Sequence, residues 1–223
     1  MLAMLLLISS LKPWLRRRYR DTGEGGYVGG NMFLYFSPEQ VKNRHFRGPD
    51  VLVALGVAPG ERKSWVAWQE GKGPDVVIEF LSESTRKTDK EIKPRVYRDE
   101  VGVREYFWFD PFHPEDFAGF AFPSGERASL GSSSPAPEPN LAPDDEGRIT
   151  SEILGLRLGT WKGRYEGVDA VWLRWYTPEG DLLLTEETER ADEQTRRADE
   201  QTRCAELLAN KLRELGLDPD QIS

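Results

Sequence analysis

Residues 73–111 read GPDVVIEFLSESTRKTDKEIKPRVYRDEVGVREYFWFDP, and the fold turns on this stretch. Residues 76–81 are apolar except for one carboxylate, Glu79, which is the pattern of a buried strand. An ionised carboxylate in such a run costs several kcal/mol unless something pairs with it. A metal ion or a lysine is the usual partner. A loop rich in Ser and Thr follows, then a polar helix with Lys93 and Tyr97 four residues apart on one face. An aromatic strand over 105–109 closes the unit. Thr88 and Glu91 form a capping box, which predicts a helix start at Thr88. Pro94 conflicts with that start, because proline removes a hydrogen bond and clashes with the carbonyl four residues back, here Lys90. The helix must kink there, or its regular part must begin near Lys93.

Upstream, residues 31–36 read as a strand, Pro49-Asp50 opens a strand over 51–57, and Pro59-Gly60 marks a turn. Another strand is expected over 65–69. Gly71-Lys72-Gly73 then turns the chain into the central strand. Such short connections suit antiparallel neighbours. Residues 1–8 are apolar, but no basic region precedes them, and Arg16, Arg17 and Arg18 come after. The run is too short to span a bilayer, so a core helix ending near Pro13 is the expectation, not a signal peptide.

Downstream, residues 119–122 read as a short strand and 124–148 as a loop insertion, since the segment includes SGERASLGSSSPAPEPN. Two strands are expected over 161–184, turning at Pro178-Glu179-Gly180-Asp181, with Trp172 and Trp175 packing. From residue 186 the period becomes seven: RADEQTR at 190–196 is repeated letter for letter at 197–203. Ala191, Ala198, Ala205 and Leu212 share one heptad position, and Gln194, Gln201, Leu208 and Leu215 the position three residues on. Only the last two turns carry an apolar seam. Residues 186–217 are therefore a helical tail or a weak coiled coil, ending at Gly216.

The length, 223 residues, fits one domain over 1–185 plus this appendage. Apolar residues make up 38% and charged residues 30%, as in a soluble globular chain. The net charge of −8 argues against a general nucleic-acid coat protein. Residues 1–50 nevertheless hold 8 Lys/Arg against 4 Asp/Glu, which leaves room for a locally basic face. Residues 181–223 hold 6 against 12. The single cysteine, Cys204, excludes an intrachain disulfide and suits a cytoplasmic location. With only His45 and His113 beside it, Cys/His zinc ligation is excluded too. There is no serine-nucleophile motif and no Walker loop. Asp75 lies four residues before Glu79, so even spacing puts both on one strand face; the rival reading makes it a strand-entry residue after Pro74. Ser82 and Ser84 are turn formers.

The ordered set Pro49-Asp50, Glu79-Phe80-Leu81-Ser82, Lys93 with Tyr97, and Glu105-Tyr106 to Asp110-Pro111 resembles the PD-(D/E)XK nuclease superfamily. Within it, the set is similar to a bacterial branch known as putative restriction endonucleases. The resemblance spans about residues 27–185. It implies a mixed α+β (α/β) restriction-endonuclease-like fold, with a central mixed sheet flanked by helices, followed here by the helical tail. It also implies hydrolysis of DNA phosphodiester bonds, with Mg2+ or Mn2+ held by Asp50 and Glu79. In the standard motif the lysine follows two residues after the acid, where this chain has Leu81; the resemblance moves that role onto the helix, to Lys93, with Lys90 as fallback. Asp75 and Tyr97 are accessory candidates. Related proteins usually extend further upstream, so the chain is expected to begin inside their first helix and to lack an acidic residue that often completes the metal site. DNA is the implied partner, a homodimer is a further candidate, and no membrane is implied. The alternative is a catalytically inactive nuclease-fold protein that assembles through its C-terminal helix.

Overall fold

A computed structural model describes residues 2–20, 24–38, 46–123 and 137–214. The chain divides into two compact units, Met1–Leu183 and Leu184–Ser223. In the first, the described elements are α1 (Leu2–Arg18), β1 (Gly26–Gly29), β2 (Leu34–Tyr35), β3 (Phe46–Arg47), β4 (Val51–Leu55), β5 (Trp65–Val66), α2 (Ala67–Glu70) and β6 (Val76–Phe80). A π-helical turn (Thr88–Ile92), α3 (Lys93–Val96) and a second π-helical turn (Tyr97–Val101) come next. The unit is completed by β7 (Glu105–Phe109), β8 (Phe117–Ala121), β9 (Ile149–Ser151), β10 (Leu156–Tyr165) and β11 (Val168–Tyr176).

The central sheet is mixed, with strand order β1-β4-β6-β7-β8. β6 pairs antiparallel with β4 and parallel with β7. Alternation along these strands builds two cores. Val51, Val53, Val76, Ile78, Phe107 and Phe109 face one side, against Leu7, Leu11 and Leu15 of α1 and Leu158, Leu173 and Trp175 of the β10–β11 hairpin. Leu52, Ala54, Val77, Tyr106 and Trp108 face the other, against Val96, Tyr97 and Val101 of the helical crossover. Glu79 shares this second face with Val77.

Several boundaries differ from the sequence reading. α1 runs through Pro13 instead of ending there. Burial of Leu7, Leu11 and Leu15 outweighs the roughly 3 kcal/mol that an interior proline costs. Of 31–36, only Leu34–Tyr35 is strand. The strand expected over 65–69 stops at Val66, and α2 takes over, ending at Gly71 with a left-handed φ of 77°. Arg62 grips both carboxylate oxygens of Glu70, and the Trp65 indole donates to Lys72 O at 2.9 Å, so the turn is tied from both ends. The two last long strands turn at Glu166-Gly167, whose φ values of 47° and 77° make the mirror-image turn that suits a hairpin. Pro178–Asp181 forms a later turn that leads to a bridge between Tyr176 and Leu182. Within the loop expected over 124–148, residues 124–136 lie outside the described set. The rest is ordered: Asn140 pairs with both backbone groups of Ala121 at the edge of β8.

The helix between β6 and β7 starts before Thr88. Ser82 caps it, accepting Thr85 N at its hydroxyl and Arg86 N at its carbonyl. The conflict at Pro94 is resolved by widening. Lys93 N–H bonds back to Thr88 O, five residues away, and the α-helical turn proper begins at Lys93 with Pro94 near its start, where no N–H is needed.

In the second unit, α4 (Glu186–Glu214) is one helix of 29 residues with no buried side chain. Its described stabilisation is local. Thr185 Oγ1 accepts from Thr188 N, Glu186 pairs with Arg190 at 2.7 Å, and Glu193 pairs with Arg197 at 2.8 Å. Thr195 and Thr202, equivalent positions of the two repeats, each bond the carbonyl four residues back.

Gly73 governs how closely the end of the crossover approaches the central strand. A Cβ there would stand 2.5 Å from Val101 O, which is backbone and cannot turn aside. Gly73→Ala should therefore lower unfolding free energy by about 1–3 kcal/mol, the usual range for overpacking, as read by chemical denaturation.

Candidate metal centre

Because β4 and β6 are antiparallel with Val51 opposite Ile78, Asp50 and Glu79 meet at one sheet end, where β4 begins and β6 finishes. Asp50 N lies 3.4 Å from Glu79 Oε2, and Phe80 N donates to Asp50 Oδ2 at 2.7 Å. Asp50 is half-buried and Glu79 is 1% exposed. The helix covers Glu79 from above. Lys93 Nζ is 2.8 Å from Glu79 Oε1, and the Tyr97 hydroxyl donates to the same oxygen at 2.6 Å. Oε2 lies on the Asp50 side, at the longer 3.4 Å contact from Asp50 N.

Leu81, where the standard motif would place lysine, is buried in the second core. The crossover therefore supplies the ammonium. Lys90 does not reach Glu79: it pairs with Asp116 at 2.7 Å and lies over the Trp108 ring. Asp75 is at the opposite end of β6. Its carboxylate is taken by Lys72 at 2.6 Å and by Leu55 N at 2.7 Å, the arrangement of a strand-entry residue. His113 caps onto Asp110, and His45 lies outside the described residues. A residue that the sequence reading missed is Asp89, 1% exposed, whose carboxylate is 2.7 Å from Lys93 Nζ. Its spacing of four from Lys93 was the available signal.

Burial pushes the Glu79 carboxyl up from 4.5 to about 7; the Lys93 charge opposes this and Asp50 reinforces it. Burial alone would lower the Lys93 ammonium, but the charge of Glu79 and the bonds to Asp89 and Glu79 outweigh it and hold the group above its ordinary value. Burial, with Glu79 adjoining, raises the Tyr97 phenol well above its usual range, so it stays a donor.

Two neighbouring carboxylates, one raising the pKa of the other by its charge, suit a hard divalent cation, which takes oxygen ligands. Among the described residues no group of three or more His, Cys, Asp or Glu side chains converges. Magnesium does not need such a cage, because it commonly uses one or two carboxylates and leaves the remaining positions to water and phosphate.

In metal-free protein, Glu79 keeps its proton to about pH 7 when folded but only to about 4.5 when unfolded. Between those values the folded state binds more protons, so raising the pH removes stability. Subtracting the stability–pH curve of Glu79→Gln from that of the unaltered protein should leave a component that falls between about pH 4.5 and 7. A flat difference would contradict the charge reading.

Among the described residues no helix is long and apolar enough to cross a membrane. No curated protein matches the chain. Residues 3–132 match the family Uma2, described as "Putative restriction endonuclease". That span takes in α1 and extends further towards the N-terminus than the motifs did. It also contains the strands and crossover that carry Asp50, Glu79, Lys93 and Tyr97. The mixed sheet, its flanking helices and this match agree: the chain belongs to the Uma2 family, within the restriction-endonuclease-like superfamily.

Proposed function

We propose that the protein is a metal-dependent endonuclease that hydrolyses phosphodiester bonds in DNA. The observation that carries this reading is the meeting of Asp50, Glu79 and Lys93, with the ammonium 2.8 Å from the buried carboxylate. Asp50 and Glu79 would hold Mg2+ or Mn2+. When bound, such an ion supplies Lewis-acid polarisation of the phosphodiester and promotes ionisation of water. Tyr97 fixes the orientation of the Glu79 carboxylate through its short hydrogen bond. Lys93 keeps its proton and donates it as a hydrogen bond to phosphate oxygens as negative charge builds on them. Glu79 is buried against the second core and Asp50 is only half-buried, so substrate would approach from the Asp50 side. Hydrolysis adds water to phosphorus, breaks one P–O bond and leaves a phosphomonoester and a sugar hydroxyl.

Nicking of supercoiled plasmid in magnesium or manganese tests this directly. The unaltered protein should nick. Glu79→Ala should lose both metal binding and nicking while remaining folded. Lys93→Met should lose nicking but still bind metal. Full activity in Lys93→Met would remove the ammonium from the mechanism.

A second reading, a non-catalytic protein assembling through its C-terminal helix, draws support from α4, where Leu207 and Leu208 are more than half exposed. On that reading, deleting residues 187–223 should change self-association in sedimentation while leaving the melting of the first unit unaltered. An unchanged oligomeric state would count against it.

A further inference from the structure

Asp89 is a buried carboxylate that the proposed chemistry does not use. Lys93 already has a counter-ion in Glu79, so charge balance at the lysine does not call for a second one. Adding a second buried acid beside a first, with Asp50 close by, adds repulsion and desolvation cost. Lys93 pairs with Asp89 at 2.7 Å.

The backbone of Asp89 is fixed independently of Glu79. Its carbonyl accepts the buried Tyr106 hydroxyl, from β7, at 2.8 Å, and its N–H donates to Thr85 O at 2.9 Å. Lys93 therefore spans two carboxylates of different standing. Glu79 faces Asp50. Asp89 belongs to the ammonium's own helix, one widened turn earlier.

We infer that Asp89 is a positioning residue that holds the Lys93 ammonium beside Glu79 when Glu79 engages a divalent cation. The inference rests on the proposed metal role of Asp50 and Glu79. With Glu79 as its only anchor, Lys93 would compete with the cation for the same carboxylate, and cation binding would displace it. A second anchor lets the ammonium yield Glu79 Oε1 without leaving the site. Asp89 touches neither substrate nor metal; it acts through Lys93.

The test is a double-mutant cycle between Asp89→Asn and Lys93→Met in the full chain, with three readouts. Asparagine keeps the size and a hydrogen-bond acceptor but removes the charge. The first readout is Mn2+ binding by calorimetry. Asp89→Asn should weaken it several-fold, because Lys93 then clings to Glu79, and adding Lys93→Met should restore it. The second is plasmid nicking at saturating metal. Asp89→Asn should lower kcat on the order of a hundredfold, as misplacement by about 1 Å can, with little change in KM, and should cost nothing further in the Lys93→Met background.

The third readout is melting without metal, which needs no activity. Lys93→Met should lower Tm by stranding two buried carboxylates, and Asp89→Asn should recover part of that loss. Additive losses in Tm, or weakened Mn2+ binding that Lys93→Met does not rescue, would overturn the role of Asp89. If the unaltered protein binds no Mn2+, the metal reading and the positioning role both fall. If Mn2+ binding is normal and the cycle is additive, only the role of Asp89 falls.

Discussion

The fold and the candidate site both depend on one constraint: a carboxylate buried in the middle strand of a sheet must be given a cation. Glu79 lies between β4 and β7, on a face otherwise built from Leu52, Val77, Tyr106 and Trp108. Its neighbours along the sheet cannot neutralise it, because the closest polar one, Asp50, is itself acidic. The solution is topological. β6 and β7 are parallel, and parallel strands need a crossover that passes over one face of the sheet. That crossover is the helix carrying Lys93 and Tyr97, so the connection required by the strand order also delivers the ammonium and the phenol to Glu79.

The crossover is irregular where it serves the site. Wide turns flank a single α-helical turn, and such widened segments recur where a helix aims functional side chains. Here the widening accommodates Pro94 and still lets both Lys93 and Tyr97 reach one oxygen. The start of the helix is held by the connection between β7 and β8. Arg86 pairs with Asp110 and Asp116, and Lys90 adds a second link to Asp116, whose carboxylate also accepts the Trp108 indole. Asp110 in turn caps the loop after β7 through Phe112 N and His113 N. The Asp-Pro that ends the aromatic strand thus belongs to the clamp on the helix start, and the second core holds its other end.

Much of this was legible in the chain. An apolar run with one acid marked the central strand, and the aromatic run marked its parallel neighbour, because each signal is local and set by burial. Asp50, Glu79, Lys93 and Tyr97 could be named because their residue types recur in a recognisable order, and the structure brings these four together. Lys90 and Lys93 could not be separated by spacing. Only the placement of Asp116, 26 residues beyond Lys90, decides which ammonium turns inward. Asp75 had the right parity but the wrong end of the strand, and Lys72 three residues before it was the overlooked local partner. The hairpin turn was misplaced because Pro178-Glu179-Gly180-Asp181 is a strong turn signal, whereas Glu166-Gly167 rests on one glycine and a strained glutamate. Asp89 was missed because an acid on a polar helix reads as solvated until the sheet beneath it is known.

The central claim, that Asp50 and Glu79 hold a divalent cation, is tested most directly by crystals soaked in manganese and measured at a wavelength where manganese scatters anomalously. One strong anomalous peak is expected within ligand distance of both Asp50 and Glu79 Oε2, with Lys93 still against Asp89. A peak at the Asp110 and Asp116 carboxylates instead, or none between Asp50 and Glu79 at high occupancy of the soak, would contradict it.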